Sequence, residues 1–170
     1  NSVRAGATVI NITLAEDGEI FRFTVVDNGC GMTEDQIAKL SNPFFTTRKT
    51  RKVGLGIPFL KMLAEMTGGY VTVTSVSEKV SEDHGTTVEA VFHKNHIDFI
   101  HLGNIVETVV TLIQGAPGVD FVFRHEFPGG EVNLDCAEIK KVLGNISLAE
   151  PEVLSWIGGY LRDQYNSVSN

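Results

Sequence analysis

An aspartate stands two residues before one glycine and four before another, Asp27-x-Gly29-x-Gly31, where the strand-forming run EIFRFTVVD stops. Two readings suit that spacing. The residues could form a tight turn that merely ends the strand. Alternatively, the carboxylate is held at a sheet edge with backbone amides bared beside it for a ligand, since glycine has no Cβ to keep another group away. Other stretches bear on the choice. Arg48, Lys49, Arg51 and Lys52 are four of only 14 basic residues, crowded into five positions of a chain with net charge −7. Such a cluster neutralises an anion, and arginine can grip it bidentately. Gly54-Leu55-Gly56 opens a helical pattern, and the unpaired N–H groups of a helix start form an anion site. Gly85-Thr86-Thr87 heads a later strand, and Asn1 heads NSVRAGA.

The elements that must position these residues follow from periodicity. TVINITL (8–14) and EIFRFTVVD alternate around the turn signal AEDG, which predicts a hairpin. Thr33 with Gln36 three residues on forms a capping box, and Glu34 and Asp35 suit the first turn of the helix it starts. Residues 41 to 54 lack apolar periodicity and read as a long loop. A second helix is expected from Leu55 to Met66, with Leu55, Phe59, Leu60, Leu63 and Ala64 on one face, Pro58 in the tolerant first turn and Gly68-Gly69 as its stop. YVTVTSV and TTVEAVF are two more strands, and the first unit ends near residue 94. Beyond it the order changes. Leu102, Ile105, Val106, Val109, Val110 and Ile113 make a helical stripe. VDFVF and EVNL flank Pro128-Gly129-Gly130 as a hairpin, and DCAEIKKVLG is a helix started by Asp135. Pro151 opens a last helix with Val153, Leu154, Ile157 and Leu161 on one face, where Trp156 and Tyr160 are expected in the core. Residues 95–170 thus read as a smaller α+β unit packed beside the first.

Composition narrows the function classes. With 170 residues, 42% hydrophobic and 21% charged, the chain is an ordinary globular one of one large or two small domains. Its acidic balance argues against a nucleic-acid backbone or an anionic membrane as main partner. Cys30 and Cys136 follow no metal-ligand spacing and suggest no disulfide framework, so a reducing compartment is expected. No apolar run reaches the length of a membrane span and no signal peptide precedes the first strand, which together read as cytoplasmic.

Taken in order, Asn1, Asp27-x-Gly29-x-Gly31, PFFTTR (43–48), Gly54-Leu55-Gly56 and Gly85-Thr86 resemble the boxes of the ATP-binding superfamily of gyrase, histidine kinases and MutL, over residues 1 to about 94. PFFTTR and GTTVEAVF resemble the histidine-kinase branch most. The resemblance implies the Bergerat-type fold, a two-layer α/β sandwich with a mixed sheet and helices on one face, here with a small α+β C-terminal extension. It implies ATP and Mg2+ as cofactors. Asp27 would accept the exocyclic amino proton of adenine, which distinguishes adenine from guanine. Gly29 and Gly31 would let the backbone approach the ring, and Thr86, beside Gly85, would bond near the adenine directly or through water. Thr46, Thr47, Arg48 and Lys49 would belong to a lid over the phosphates, and Gly54, Leu55 and Gly56 to the helix start that receives them. Asn1 would be a ligand to the magnesium. The family's acidic general base lies one helical turn before that asparagine, upstream of residue 1. The second glycine box is shorter than the family's usual one, with Lys52 where a first glycine often stands.

Three uses of ATP are then open. A histidine-kinase catalytic domain would transfer phosphoryl to a protein phosphoacceptor. A stand-alone kinase would act on a separate partner, as anti-sigma-factor kinases do. A clamp would close a homodimer around nucleotide. A non-catalytic nucleotide sensor competes with all three. His125-Glu126-Phe127-Pro128 superficially resembles a phosphoacceptor box, but it falls in a strand-to-turn setting.

Overall fold

The computed structural model describes residues 1–40 and 55–168. A 3₁₀ turn over Ser2–Ala5 leads into β1 (Val9–Glu16) and β2 (Ile20–Asp27). These form the expected hairpin, closed where Asp17 Oδ1 accepts the N–H groups of Glu19 and Ile20. The short helix α1 (Glu34–Ala38) begins with the predicted reciprocal capping box of Thr33 and Gln36. After α2 (Gly56–Met66) come β3 (Tyr70–Val76), β4 (Gly85–His93), α3 (Ile105–Gly115), β5 (Asp120–Phe127), β6 (Gly130–Asp135), α4 (Cys136–Leu143) and α5 (Pro151–Val168).

All six strands make one mixed sheet in the order β3-β4-β2-β1-β5-β6. Every neighbouring pair is antiparallel except β1 and β5, which run parallel from Val9↔Asp120 to Ala15↔Glu126. The C-terminal extension is therefore joined to the first unit by a ladder of backbone hydrogen bonds as well as by packing. Strand side chains alternate between the two faces, and the register sorts them sharply. Ile10, Ile12 and Leu14 share a face with Phe21, Phe23 and Val25, with Ala90 and Phe92, and with Phe121, Phe123, Val132 and Leu134. Against that face pack Val106, Val109 and Ile113 of α3 and Leu154, Ile157 and Leu161 of α5, and Cys136 of α4 joins the same core. The other face carries Thr13, Arg22, Thr24, Thr72, Glu89 and Arg124, with ion pairs Arg22–Glu89 at 2.8 Å and Arg124–Glu126 at 2.9 Å. One apolar and one polar face make the two-layer α/β sandwich that was expected.

Two expectations about burial need correction. On α2, Leu55 and Phe59 are exposed together with Met62 and Met66, while Ala64 is fully buried. The helix is seated through its alanine. At its end the Gly69 backbone lies so close to β4 that a Cβ there would stand 1.8 Å from the Val91 oxygen, so the long side chains 55, 59, 62 and 66 turn away from the sheet. Trp156 and Tyr160 likewise lie outside the core, 56% and 41% exposed. Gly158, Ile157 and Leu161 hold the packed side of α5, leaving no room there for either ring.

Candidate nucleotide site

The site begins where the apolar face of the sheet turns polar. Down β2 the core-facing positions read Phe21, Phe23, Val25, Asp27. On β4 they read Phe92, Ala90, Val88, Thr86, and on β3 Val71, Val73, Ser75. Asp27, Thr86 and Ser75 are register partners, so three polar side chains lie in one row across three strands. Asp27 is only 8% exposed. A buried carboxylate must be hydrogen-bonded, and this one is: the Ser2 hydroxyl donates to Oδ2 at 2.5 Å and the Gly29 N–H to Oδ1 at 3.0 Å. Each oxygen keeps a lone pair for another donor. Ser75 Oγ receives the Met32 N–H at 2.8 Å and lies 2.8 Å from the Gly85 carbonyl, to which it must donate, so the 2.9 Å contact with Thr86 takes the Thr86 hydrogen. Thr86 Oγ1 is thereby left as an acceptor. The row presents acceptors side by side, which suits an amino group.

The glycines have a different explanation from the one the sequence suggested. A Cβ on Gly31, whose φ is +64°, would stand 1.8 Å from the Val76 carbonyl oxygen; on Gly29 it would be 2.7 Å from the Ala5 Cβ; on Gly85, at φ +148°, 2.0 Å from the Asp27 oxygen. In each case the chain's own atoms occupy the space. The three glycines let the Asp27 turn, the 3₁₀ turn and the ends of β3 and β4 close on one another, which is what aims the polar row. Asn28 helps from the other side, its Oδ1 accepting the Thr8 and Val9 N–H groups at 2.9 Å each. His84 Nδ1 lies 2.6 Å from the Gly29 carbonyl.

Next to the row, a cavity of about 350 Å³ opens between α2 and the sheet. Its floor is Val25 and Val88, one step back along the same strands from Asp27 and Thr86, and Phe23, two steps back; Asp27 and Thr86 are not themselves among its walls. Leu60 and Leu63 of α2 form one side, and Asn1, Ser2 and Gly56 the rim. A mostly apolar cleft of this size with few convergent polar groups is the ordinary form of a small-molecule site. Asn1 caps the 3₁₀ turn, its carbonyl accepting from Arg4 and Ala5 at 2.9 and 3.0 Å, and its side-chain nitrogen lies 3.9 Å from where a Cβ on Gly56 would stand. The amide thus adjoins the first turn of α2. That turn starts at Leu55 with no side-chain cap among the described residues, and the N–H groups of a helix start suit an anion. An amide oxygen is a hard neutral donor of the kind magnesium accepts.

Of the residues singled out in the sequence, Asn1 and Gly56 line this cleft, Asp27 and Thr86 stand in the polar row, Gly29, Gly31 and Gly85 pack where the strand ends and turns meet, and Leu55 immediately precedes α2. Thr46, Thr47, Arg48, Lys49 and Gly54 lie outside the described residues. Ser2 and Ser75 were missed. Ser2 adjoins Asn1 in NSVRAGA, and Ser75 continues the alternation Val71, Val73 onto the core face, so both had a signal once the register is known; His84 had none. His125 is no accessible phosphoacceptor. It is 3% exposed, with Nδ1 2.9 Å from the Tyr165 hydroxyl and Nε2 3.1 Å from Glu16, which also pairs with Lys94 at 2.6 Å.

Comparison with known proteins agrees with the geometry. The family described as histidine kinase-, DNA gyrase B-, and HSP90-like ATPase matches residues 1–96. The sensor histidine kinase ZraS of Escherichia coli O157:H7 is 35% identical over 71 residues, 42% of this chain and 15% of that protein. Sporulation kinase B of Bacillus subtilis is 33% identical over 91 residues, 52% of this chain and 20% of that one. The matched regions are thus a fifth or less of these relatives' length. Among solved structures, the N-terminal domain of a DNA repair protein superposes with a TM-score of 0.52 at 17% identity, over 79% of this chain and 48% of that one, a likeness of fold. No helix among the described residues is long and apolar enough to cross a membrane.

Proposed function

Because the chain belongs to the histidine kinase-, DNA gyrase B- and HSP90-like ATPase family, which implies nucleotide binding, we propose that residues 1–94 are the ATP–Mg2+-binding catalytic domain of a cytoplasmic, histidine-kinase-like signalling protein that passes the γ-phosphoryl group of ATP to a protein acceptor. The observation that carries this reading is the row of acceptors, Asp27 and Thr86, set beside an apolar cleft that ends at Asn1 and the first turn of α2. Adenine would present its amino group to the row and its ring to the apolar floor. The phosphates would lie toward Asn1 and Gly56, where the helix N–H groups face negative charge, with Thr46, Thr47, Arg48, Lys49 and Gly54 contributing from outside the described residues. Magnesium, held in part by the Asn1 amide oxygen, would neutralise phosphate charge. Positioning and charge neutralisation supply most of the catalysis in phosphoryl transfer.

The test has two arms. Thermal melting with and without Mg-ATP should give a rise of about 5–11 °C at a hundred times the dissociation constant, lost in Asp27→Asn. Labelled γ-phosphate should then appear on a protein acceptor. A rise without any transfer would favour a second reading, a nucleotide sensor. That reading draws support from β1, which is hydrogen-bonded along its length both to β2, bearing Asp27, and to β5 of the C-terminal unit.

A further inference from the structure

The outer side of α5 carries a feature that the nucleotide site does not use. Trp156 and Tyr160, one helical turn apart, stack on each other with ring centroids 5.4 Å apart and planes 12° from parallel, yet both are exposed to solvent. Residues three or four apart share a helix face, so the same stripe continues to Glu152, four before Trp156, and Asp163, three after Tyr160, both exposed. Neither carboxylate is paired with a cation among the described residues. The helix's one basic side chain, Arg162, is turned to the neighbouring helix, where it meets Glu107 at 3.4 Å. Gly159, next to Tyr160, adds no bulk beside the rings, with nothing within 4 Å of where a Cβ would stand. The stripe therefore reads carboxylate, stacked indole and phenol, carboxylate.

We infer that this stripe, Glu152-Trp156-Tyr160-Asp163, is a docking surface for an arginine-bearing polypeptide segment. Tryptophan and tyrosine dominate the energetics of protein interfaces. A cation over an aromatic face is attracted by the ring quadrupole, and the flat guanidinium of arginine both stacks on such a face and pairs with carboxylates. The charges also exclude a second copy of the chain. An antiparallel pairing of α5 with itself about the aromatic pair would set Glu152 of one copy against Asp163 of the other, and a parallel pairing would set each against its own kind.

Trp156 is the chain's single tryptophan, so its fluorescence reports on the stripe and on nothing else. The probe is a capped nonapeptide of alternating Arg and Gly, titrated into the full chain in moderate salt beside its Lys and Glu counterparts. The Arg peptide should give a saturable change in Trp156 emission, the Lys peptide a weaker one and the Glu peptide none. Tyr160→Ala should raise the Kd about fivefold. Glu152→Gln with Asp163→Asn should raise it by more, whereas Glu82→Gln with Asp83→Asn, which removes the same charge elsewhere on the surface, should leave it unchanged. All variants lie at exposed positions, and an unchanged melting temperature verifies that they are folded. Three results would each overturn the inference: no change in emission up to millimolar peptide, equal weakening by the two charge pairs, or a change in emission that follows protein concentration alone and marks self-association.

Discussion

Replacing Gly31 by alanine separates a glycine that serves the fold from one that serves a ligand. At φ +64° an L-residue is strained, and its Cβ would sit 1.8 Å from the Val76 oxygen and 2.6 Å from the Val76 carbonyl carbon. Both obstacles are backbone, so the turn must lift off the end of β3. Lifting it strains or breaks the bond from the Glu78 N–H to the Cys30 carbonyl, 2.9 Å, and that from the Met32 N–H to Ser75, 2.8 Å. Left-handed strain costs about 1–2 kcal/mol and each lost bond about 0.5–1.5, so Gly31→Ala should destabilise the chain by about 2–5 kcal/mol. For a chain of this size that is a fall in Tm of about 4–20 °C. The assay is urea unfolding without nucleotide, with Gly159→Ala as the internal contrast. Gly159 is helical with open space around it, so alanine there should stabilise by about 0.5–1 kcal/mol. If Gly31→Ala unfolds within about 0.5 kcal/mol of the parent while its ATP affinity drops, the steric argument fails and the glycine exists for the base.

His125 makes stability depend on pH. Burial pushes its pKa below the ordinary value against the opposing pull of Glu16, so the folded state binds the proton less readily than the unfolded one. Stability is complete above about pH 6.5 and falls as pH drops toward the folded pKa, by at most about 1.4 kcal/mol per pH unit; His125→Gln should flatten that slope in urea titrations. Burial raises the Glu16 carboxyl, but Lys94 and His125 outweigh it and hold the pKa low, which adds a second loss of stability below about pH 4.5, to be removed in Glu16→Gln. Cys136 is fully buried, and burial pushes its thiol up to about 11, so a thiol reagent at pH 8 should label Cys30 and spare Cys136 until the chain unfolds. On the β6 edge, Gln164 accepts from the Asn133 N–H at 3.0 Å and donates to its carbonyl at 2.9 Å, so Gln164→Ala should cost about 1–2 kcal/mol in the same unfolding assay.

What the sequence made legible was whatever is governed by neighbours along the chain. The hairpin of β1 and β2, the Thr33–Gln36 box and the order of all later elements depend on alternation, turn residues and caps, and they stand as read. Asp27 and Thr86 were each marked by their place at the end of an alternating run, and only the register sets them side by side. The reasons for Gly29 and Gly31 were not legible. Only the folded chain reveals that Val76, at the end of β3, and Ala5, in the 3₁₀ turn, are what a Cβ at Gly31 and Gly29 would strike. The parallel pairing of β5 with β1 was equally hidden, since it joins residues more than a hundred positions apart that carry no local mark of each other.

Helix faces divide along the same line. The apolar residues of α3 point where the periodicity sends them, since Val106, Val109 and Ile113 are all buried. On α2, two of the five expected core positions, Leu55 and Phe59, fail because periodicity gives the angle between side chains and not the direction of the core. Ala64 and the close approach of Gly69 to β4 fix that direction, and Leu55, Phe59, Met62 and Met66 follow to the far side. The same reasoning explains α5. Leu154, Ile157, Gly158 and Leu161 already fill the packed side, so an apolar ring at 156 or 160 has no interior to enter. Hydrophobicity therefore places a helix in the sheet's company, and it is the smallest residues, where backbones meet, that decide which of its larger ones remain available to a partner.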